Sequence, residues 1–242
     1  MEPYSRKPAL KTTGSSTKLP SLLPQYTHIV NPRLRHTYLS FDEAGNLIIK
    51  SPKVSPEYIE QLLLKKAGWI RKSRERLVQK KGKLPDFTEG SELYYKGSPC
   101  PLKIIFHSKQ RIQLQFEAGE FFLYTHQDNR ARFRKQIDLF YKTEAKKYLP
   151  SLIEKYAQEM QLFPEAVRFR KTKRQWGSCS AGNRLSFNTM LMKLPLNVIE
   201  YVVVHELAHI AHKHHQKSFW KLIEAYMPDY KARIRELHTY TT

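Results

Sequence analysis

The stretch Val202-Val203-Val204-His205-Glu206-Leu207-Ala208-His209-Ile210 decides how this chain is read. Two histidines four positions apart on a helix share one face, a spacing that suits two Zn–N bonds of about 2.0–2.1 Å. Glu206 sits beside the first of them and can reach a metal-bound water as general base, so the run holds the parts of a hydrolytic zinc site. Val202, Val203, Val204, Leu207, Ala208 and Ile210 predict that this helix is mostly buried, and Pro195 suits its first turn. Burying two imidazoles and a carboxylate is unfavourable unless they are paired, and a metal ion pairs them.

Catalytic zinc takes three protein ligands and leaves a position for water. His215 is the candidate third ligand. It lies six residues past His209, where a straight helix would carry it away from the metal, so the chain must turn between about 210 and 215. His212 and His214 stay open as alternatives, because three residues on from His209 is also a helical neighbour. Exposed histidines on a polar turn account for them more simply. Glu224 is a further candidate ligand from a following helix, though a solvated helix position explains it as well. The histidine spacing matches the metzincin peptidases, which carry glycine at the turn where this chain has His212. A left-handed turn there would put a non-glycine residue at positive φ. Met227 reads as a core residue rather than as the methionine turn of that group.

A second pattern fits more of the chain. Arg174-Gln175-Trp176-Gly177-Ser178-Cys179-Ser180 precedes Leu185-Ser186-Phe187-Asn188, Pro195 and Tyr201-Val202-Val203-Val204, and His215-Gln216-Lys217-Ser218-Phe219-Trp220 follows. Met227-Pro228-Asp229-Tyr230 closes the set. Together these resemble the YgjP-like zinc metallopeptidases, relatives of the SprT-like and WLM zincins. The resemblance is strong over about 165–237, weaker over about 31–164, and does not reach the first 30 residues. It implies that His205, His209 and His215 hold Zn²⁺, that Glu206 is the catalytic base, and that the substrate is a peptide or protein.

The composition bounds the remainder. At 242 residues the chain holds one sizeable domain or two small ones, and 40% hydrophobic content is enough for a core. Two cysteines, Cys100 and Cys179, exclude a disulfide-dense scaffold and suit a reducing cytoplasm. No run approaches 18 apolar residues, so no membrane span is expected, and the start lacks a hydrophobic signal core. The net charge of +20 is concentrated in Lys65 to Lys83 and in Arg130 to Arg174. Such blocks attract nucleic acid or another polyanion, although solvated helix faces explain them equally well. The SprT-like relatives act on DNA-bound proteins, which keeps nucleic acid among the expected partners.

Residues 1–30, rich in Pro, Ser, Thr and Lys, read as a disordered basic leader. Arg35 to Phe41 and Leu47 to Lys50 read as short strands, and Pro56 to about Gln79 as a helix capped by Ser55, with Trp69 packed in a core. Leu102 to Phe106, Ile112 to Phe116 and Phe121 to Tyr124 look like antiparallel strands, with Gly97 and Gly119 in turns. Arg130 to about Gln161 returns to helix, with Pro150 expected to break or kink it. Val167 to Arg170 and Leu185 to Asn188 should be strands bordering the site.

The expected architecture is α+β. An N-terminal portion, β-rich and helical, spans 31–126, and a zincin-like metallopeptidase core with the HExxH active-site helix spans 127–242. The expected function is zinc-dependent hydrolysis of peptide bonds by a Glu-activated water. The oxyanion stabiliser is open among His212, Arg174, Tyr201 and Tyr230. Asn188 orients a ligand or caps a turn, and Cys179 is a small buried thiol rather than a fourth ligand. Two alternatives stand beside this reading. One is a zinc-dependent UTP pyrophosphatase, a label some YgjP-like proteins carry, although Gly90, Gly97 and Gly119 are isolated and form no phosphate loop. The other is a nucleic-acid-associated zinc protein, which would have no need of Glu206 as a base.

Overall fold

The computed structural model describes residues 24–42, 45–88 and 90–241. The chain divides into two compact units, one ending at residue 78 and the other running from 79 to 242. The division expected near 126 is therefore displaced. Its physical reason is a shared core: Leu93, Leu102, Phe121 and Leu123 before that point pack in one cluster with Phe133, Ile137 and Tyr141 after it.

The first unit holds β1 (Tyr26–Val30), β2 (Tyr38–Phe41), β3 (Leu47–Ser51) and α1 (Pro56–Gln79). The sheet order is β1-β3-β2, with β2 and β3 antiparallel and β1 parallel to β3. Leu47 and Ile49 point from one face of β3 and pack with Ile59, Leu63 and Ile70, which recur at helical spacing along α1. Strand β1 corrects the expected leader, whose residues 1–23 lie outside the described residues. All five β1 residues are exposed, so no alternation marks the strand in the sequence, and the ladder to β3 is what orders it. Trp69 is also a correction: it is 46% exposed, resting on the ring of Phe41.

The second unit begins with β4 (Glu92–Tyr95), β5 (Ser98–Phe106), β6 (Gln113–Glu117) and β7 (Glu120–Thr125), in the order β4-β5-β7-β6. The expectation of antiparallel neighbours holds for β4 with β5 and for β6 with β7, but β5 and β7 run parallel. The reason is that β6 folds back to the sheet edge and leaves β7 in the centre, opposed to β6 and hence aligned with β5. The sheet packs on α2 (Arg130–Met160), whose Phe133, Ile137, Tyr141, Ala145 and Leu149 form a buried stripe at a spacing of four. The Tyr141 hydroxyl donates to the Tyr94 carbonyl at 2.6 Å, so this buried ring keeps its polar atom satisfied. Helix α2 runs on through Pro150 instead of ending there. At the β4–β5 turn, Gly97 has φ 90°, and its N–H donates to the Lys193 carbonyl at 3.0 Å. A Cβ there would lie 2.8 Å from the Pro195 ring, so only glycine seats the hairpin against the start of the next helix.

That helix, α3 (Leu196–Ala211), is the centre of the unit. Val198, Ile199, Val203, Val204, Leu207 and Ala208 have no exposed surface. Each fully buried Val, Ile or Leu side chain contributes about 1.5–3 kcal/mol, which anchors the helix that carries the motif. Beside it lie β8 (Ala166–Arg170), β9 (Gly177–Cys179) and β10 (Arg184–Asn188), in the order β8-β10-β9. Strand β9 is an edge strand packed along α3. The chain closes with α4 (Lys217–Tyr226) and α5 (Tyr230–Leu237). No helix among the described residues is long and apolar enough to cross a membrane.

Candidate metal centre

Tyr201, His205 and His209 follow one another at intervals of four along α3 and so share one ridge of the helix. The helix ends at Ala211, and the chain turns through 212–216 before α4 begins. This turn brings His215 back over His205, where the two Nε2 atoms face each other at 3.2 Å. The ligand atoms of His205, His209 and His215 all lie within 4.8 Å of one another. His212 makes the turn with φ −131° and ψ 104°, in extended backbone, so the left-handed turn and its glycine are not needed.

The distal ring nitrogens are occupied by protein. His209 Nδ1 lies 2.9 Å from the His212 carbonyl, which fixes Nδ1 as the protonated nitrogen and leaves Nε2 with its lone pair. His205 Nδ1 lies 3.1 Å from the Tyr201 hydroxyl. Below the three rings sits Phe219, fully buried, with centroids 4.6–5.0 Å from each imidazole. Trp220 holds the third histidine: its indole N–H donates to the His215 carbonyl at 3.1 Å, and its ring stacks on His215 and on Tyr230.

Burial disfavours the protonated form of the two helical imidazoles. Burial, reinforced by the neighbouring His209 and His215, pushes His205 down to about 3. Burial also lowers His209. Glu206, 5% exposed, is pushed up to about 8 by burial alone, and its Oε2 has no hydrogen-bond partner. Three converging imidazoles, two of them held toward the neutral form by burial, and an unpartnered buried carboxylate make a donor set that fits a metal ion such as zinc. Two ligands of a tetrahedral ion at 2.0–2.1 Å stand about 3.3 Å apart, close to the spacing of His205 and His215.

A scan against family models matches residues 35–240 to the YgjP-like metallopeptidase domain. The chain belongs to the YgjP-like metallopeptidase family. The search of curated proteins gives no match. Among solved structures, this YgjP-like chain is similar in part to two metallopeptidase zymogens. One is abylysin of Pyrococcus abyssi, at 22% identity and a TM-score of 0.33, covering 38% of this chain and 96% of the other. The second is jannalysin of Methanocaldococcus jannaschii, at 15% identity and a TM-score of 0.32, covering 36% and 93%.

The remaining candidates of the YgjP-like chain fall outside the cluster. The exposed Glu224 on α4, His212 and His214 are not part of it; His214 Nδ1 instead accepts from the Gln216 N–H at 3.3 Å. Cys179 lies near Lys213, with Sγ 3.3 Å from Nζ, and not among the imidazoles. Arg174 is exposed, and Tyr201 is engaged with His205. Asn188 is a scaffold residue: its Oδ1 accepts from Met190 N–H at 3.1 Å, and its Nδ2 donates to the Thr172 and Gln175 carbonyls at 2.9 Å. Two residues gain importance that the sequence reading did not give them. Phe219 stood in a quoted motif without a role, and its place four residues after His215 was the available signal. Gly177 abuts Glu206, and only its place within Trp-Gly-Ser-Cys hinted at it.

Proposed function

We propose that this protein is a zinc-dependent peptidase in which His205, His209 and His215 hold the metal and Glu206 acts as general base. The observation that carries this reading is the convergence of three imidazoles beside a buried carboxylate whose Oε2 has no partner. Bound there, zinc supplies Lewis acidity, polarising a carbonyl and bringing water within reach of ionisation near neutral pH. Glu206 takes the proton of the attacking water and passes it to the leaving nitrogen. A cation bound beside it would favour the ionised carboxylate that a general base requires, against the burial that otherwise raises it. Tyr201 and the His212 carbonyl orient the imidazoles by occupying their outer nitrogens. An extended peptide has a natural place along β9, an edge strand beside α3 that can add one more strand. The comparisons lend nothing to the pyrophosphatase or the nucleic-acid reading.

The test compares wild type with Glu206→Gln, each assayed for bound zinc by elemental mass spectrometry and for cleavage of a mixed pool of unfolded proteins and peptides. Both proteins should carry one zinc, and only the wild type should generate new peptide termini. Equal cleavage by both would remove Glu206 from the chemistry, and wild type without zinc would remove the metal.

A further inference from the structure

We infer that Gly177 is a positioning residue for the Glu206 carboxylate, a role that rests on the reading of Glu206 as base. Gly177 opens β9 and is paired with Phe187 of β10. A Cβ built at Gly177 would lie 2.5 Å from Glu206 Oε1, 2.6 Å from its Cγ and 2.7 Å from its Cδ. The glycine's φ lies outside the left-handed region, so backbone conformation does not demand it. Space does. The room that any other residue would fill is the room in which the carboxylate rests.

Both walls of this contact are fixed. Glu206 sits in the buried middle of α3, between turns whose valines and leucine have almost no exposed surface. On the other side, the Asn188 N–H donates to the Trp176 carbonyl at 2.8 Å, immediately before Gly177. The Asn188 side-chain amide ties down the preceding loop at Thr172 and Gln175. The strand cannot retreat without breaking these bonds, nor the helix without unpacking its buried face. The flexible partner is the Glu206 side chain itself, so a methyl at 177 leaves the fold in place and turns the carboxylate out of its position. A misplacement of about 1 Å can cost about 100-fold in rate. Glycine at 177 thus leaves open the space in which the general base rests, and any larger residue would take it.

The experiment begins with metal-free crystal structures of wild type and Gly177→Ala. The inference expects Glu206 Oε1 to move by more than about 1 Å while β9 stays paired with β10; an unmoved carboxylate with a displaced β9 overturns it. In the zinc-loaded proteins, Gly177→Ala should keep one zinc and an unchanged KM while kcat falls about 100-fold. An unchanged kcat overturns the inference. If Gly177→Ala fails to fold, the double variant Gly177→Ala/Glu206→Ala, which removes the atoms the methyl meets, should fold again; a double variant that also fails shows that the glycine serves the strand instead. Full activity in Glu206→Gln would defeat the base reading, and the crystal structures alone would then decide whether Gly177 places the carboxylate.

Discussion

The three histidines of the centre come from two different kinds of structure. His205 and His209 stand on a buried helix, their separation set by helical pitch and their outer nitrogens engaged by Tyr201 and the His212 carbonyl. His215 stands in an exposed turn, held by one indole N–H on its carbonyl and by ring stacking. The helical pair is preorganised by the same packing that folds the unit, so it exists with or without metal. The proposed third ligand depends on a short connection and would gain most from metal binding. The difference teaches that the helix supplies geometry while the turn supplies closure.

Phe219 is where the two halves meet, so its removal should have the largest effect. Phe219→Ala empties a fully buried ring site and should cost about 3–5 kcal/mol in chemical denaturation of the metal-free protein. It should also weaken zinc binding through all three imidazoles. A variant with native stability and affinity would deny that the rings rest on it. Next come the two proposed helical ligands. Zinc sites bind with about 10–16 kcal/mol spread over some four ligands, so losing His205 or His209 to alanine should raise the zinc Kd about 10²–10³-fold in chelator competition. His215→Ala should raise it less, about 10–100-fold, because water can replace an exposed ligand, and metal-free stability should stay unchanged. If His215→Ala proves as damaging as His209→Ala, the contrast between pitch and turn is wrong. The smallest effect belongs to Trp220→Phe, which keeps the stacking and loses the hydrogen bond to the His215 carbonyl. Zinc affinity should drop about tenfold, in the range for residues that orient ligands.

Legibility in the sequence followed the same division. Helix α1 was readable to its ends, Pro56–Gln79, because Ser55 caps it and the apolar spacing is regular. The pair His205 and His209 was readable because helical periodicity fixes their relation. The turn that delivers His215 had to be inferred, and its extended backbone at His212 was not predictable from a motif that elsewhere carries glycine. Strand β9 is not legible as a strand, since three residues are too few to show alternation and its pairing depends on β10. The parallel pairing of β5 with β7 and the ordering of β1 are likewise long-range facts, set by sheet partners rather than by local sequence. Gly177 carries no local signal of its contact with Glu206, because that contact exists only once α3 lies beside β9.

The most direct test of the account is X-ray absorption at the zinc edge of the zinc-loaded protein. The account predicts three imidazole nitrogens at about 2.0–2.1 Å and one further light atom, with no sulfur in the first coordination sphere. A sulfur at about 2.3 Å, which would bring in Cys179, or fewer than three imidazoles, would contradict the centre described above.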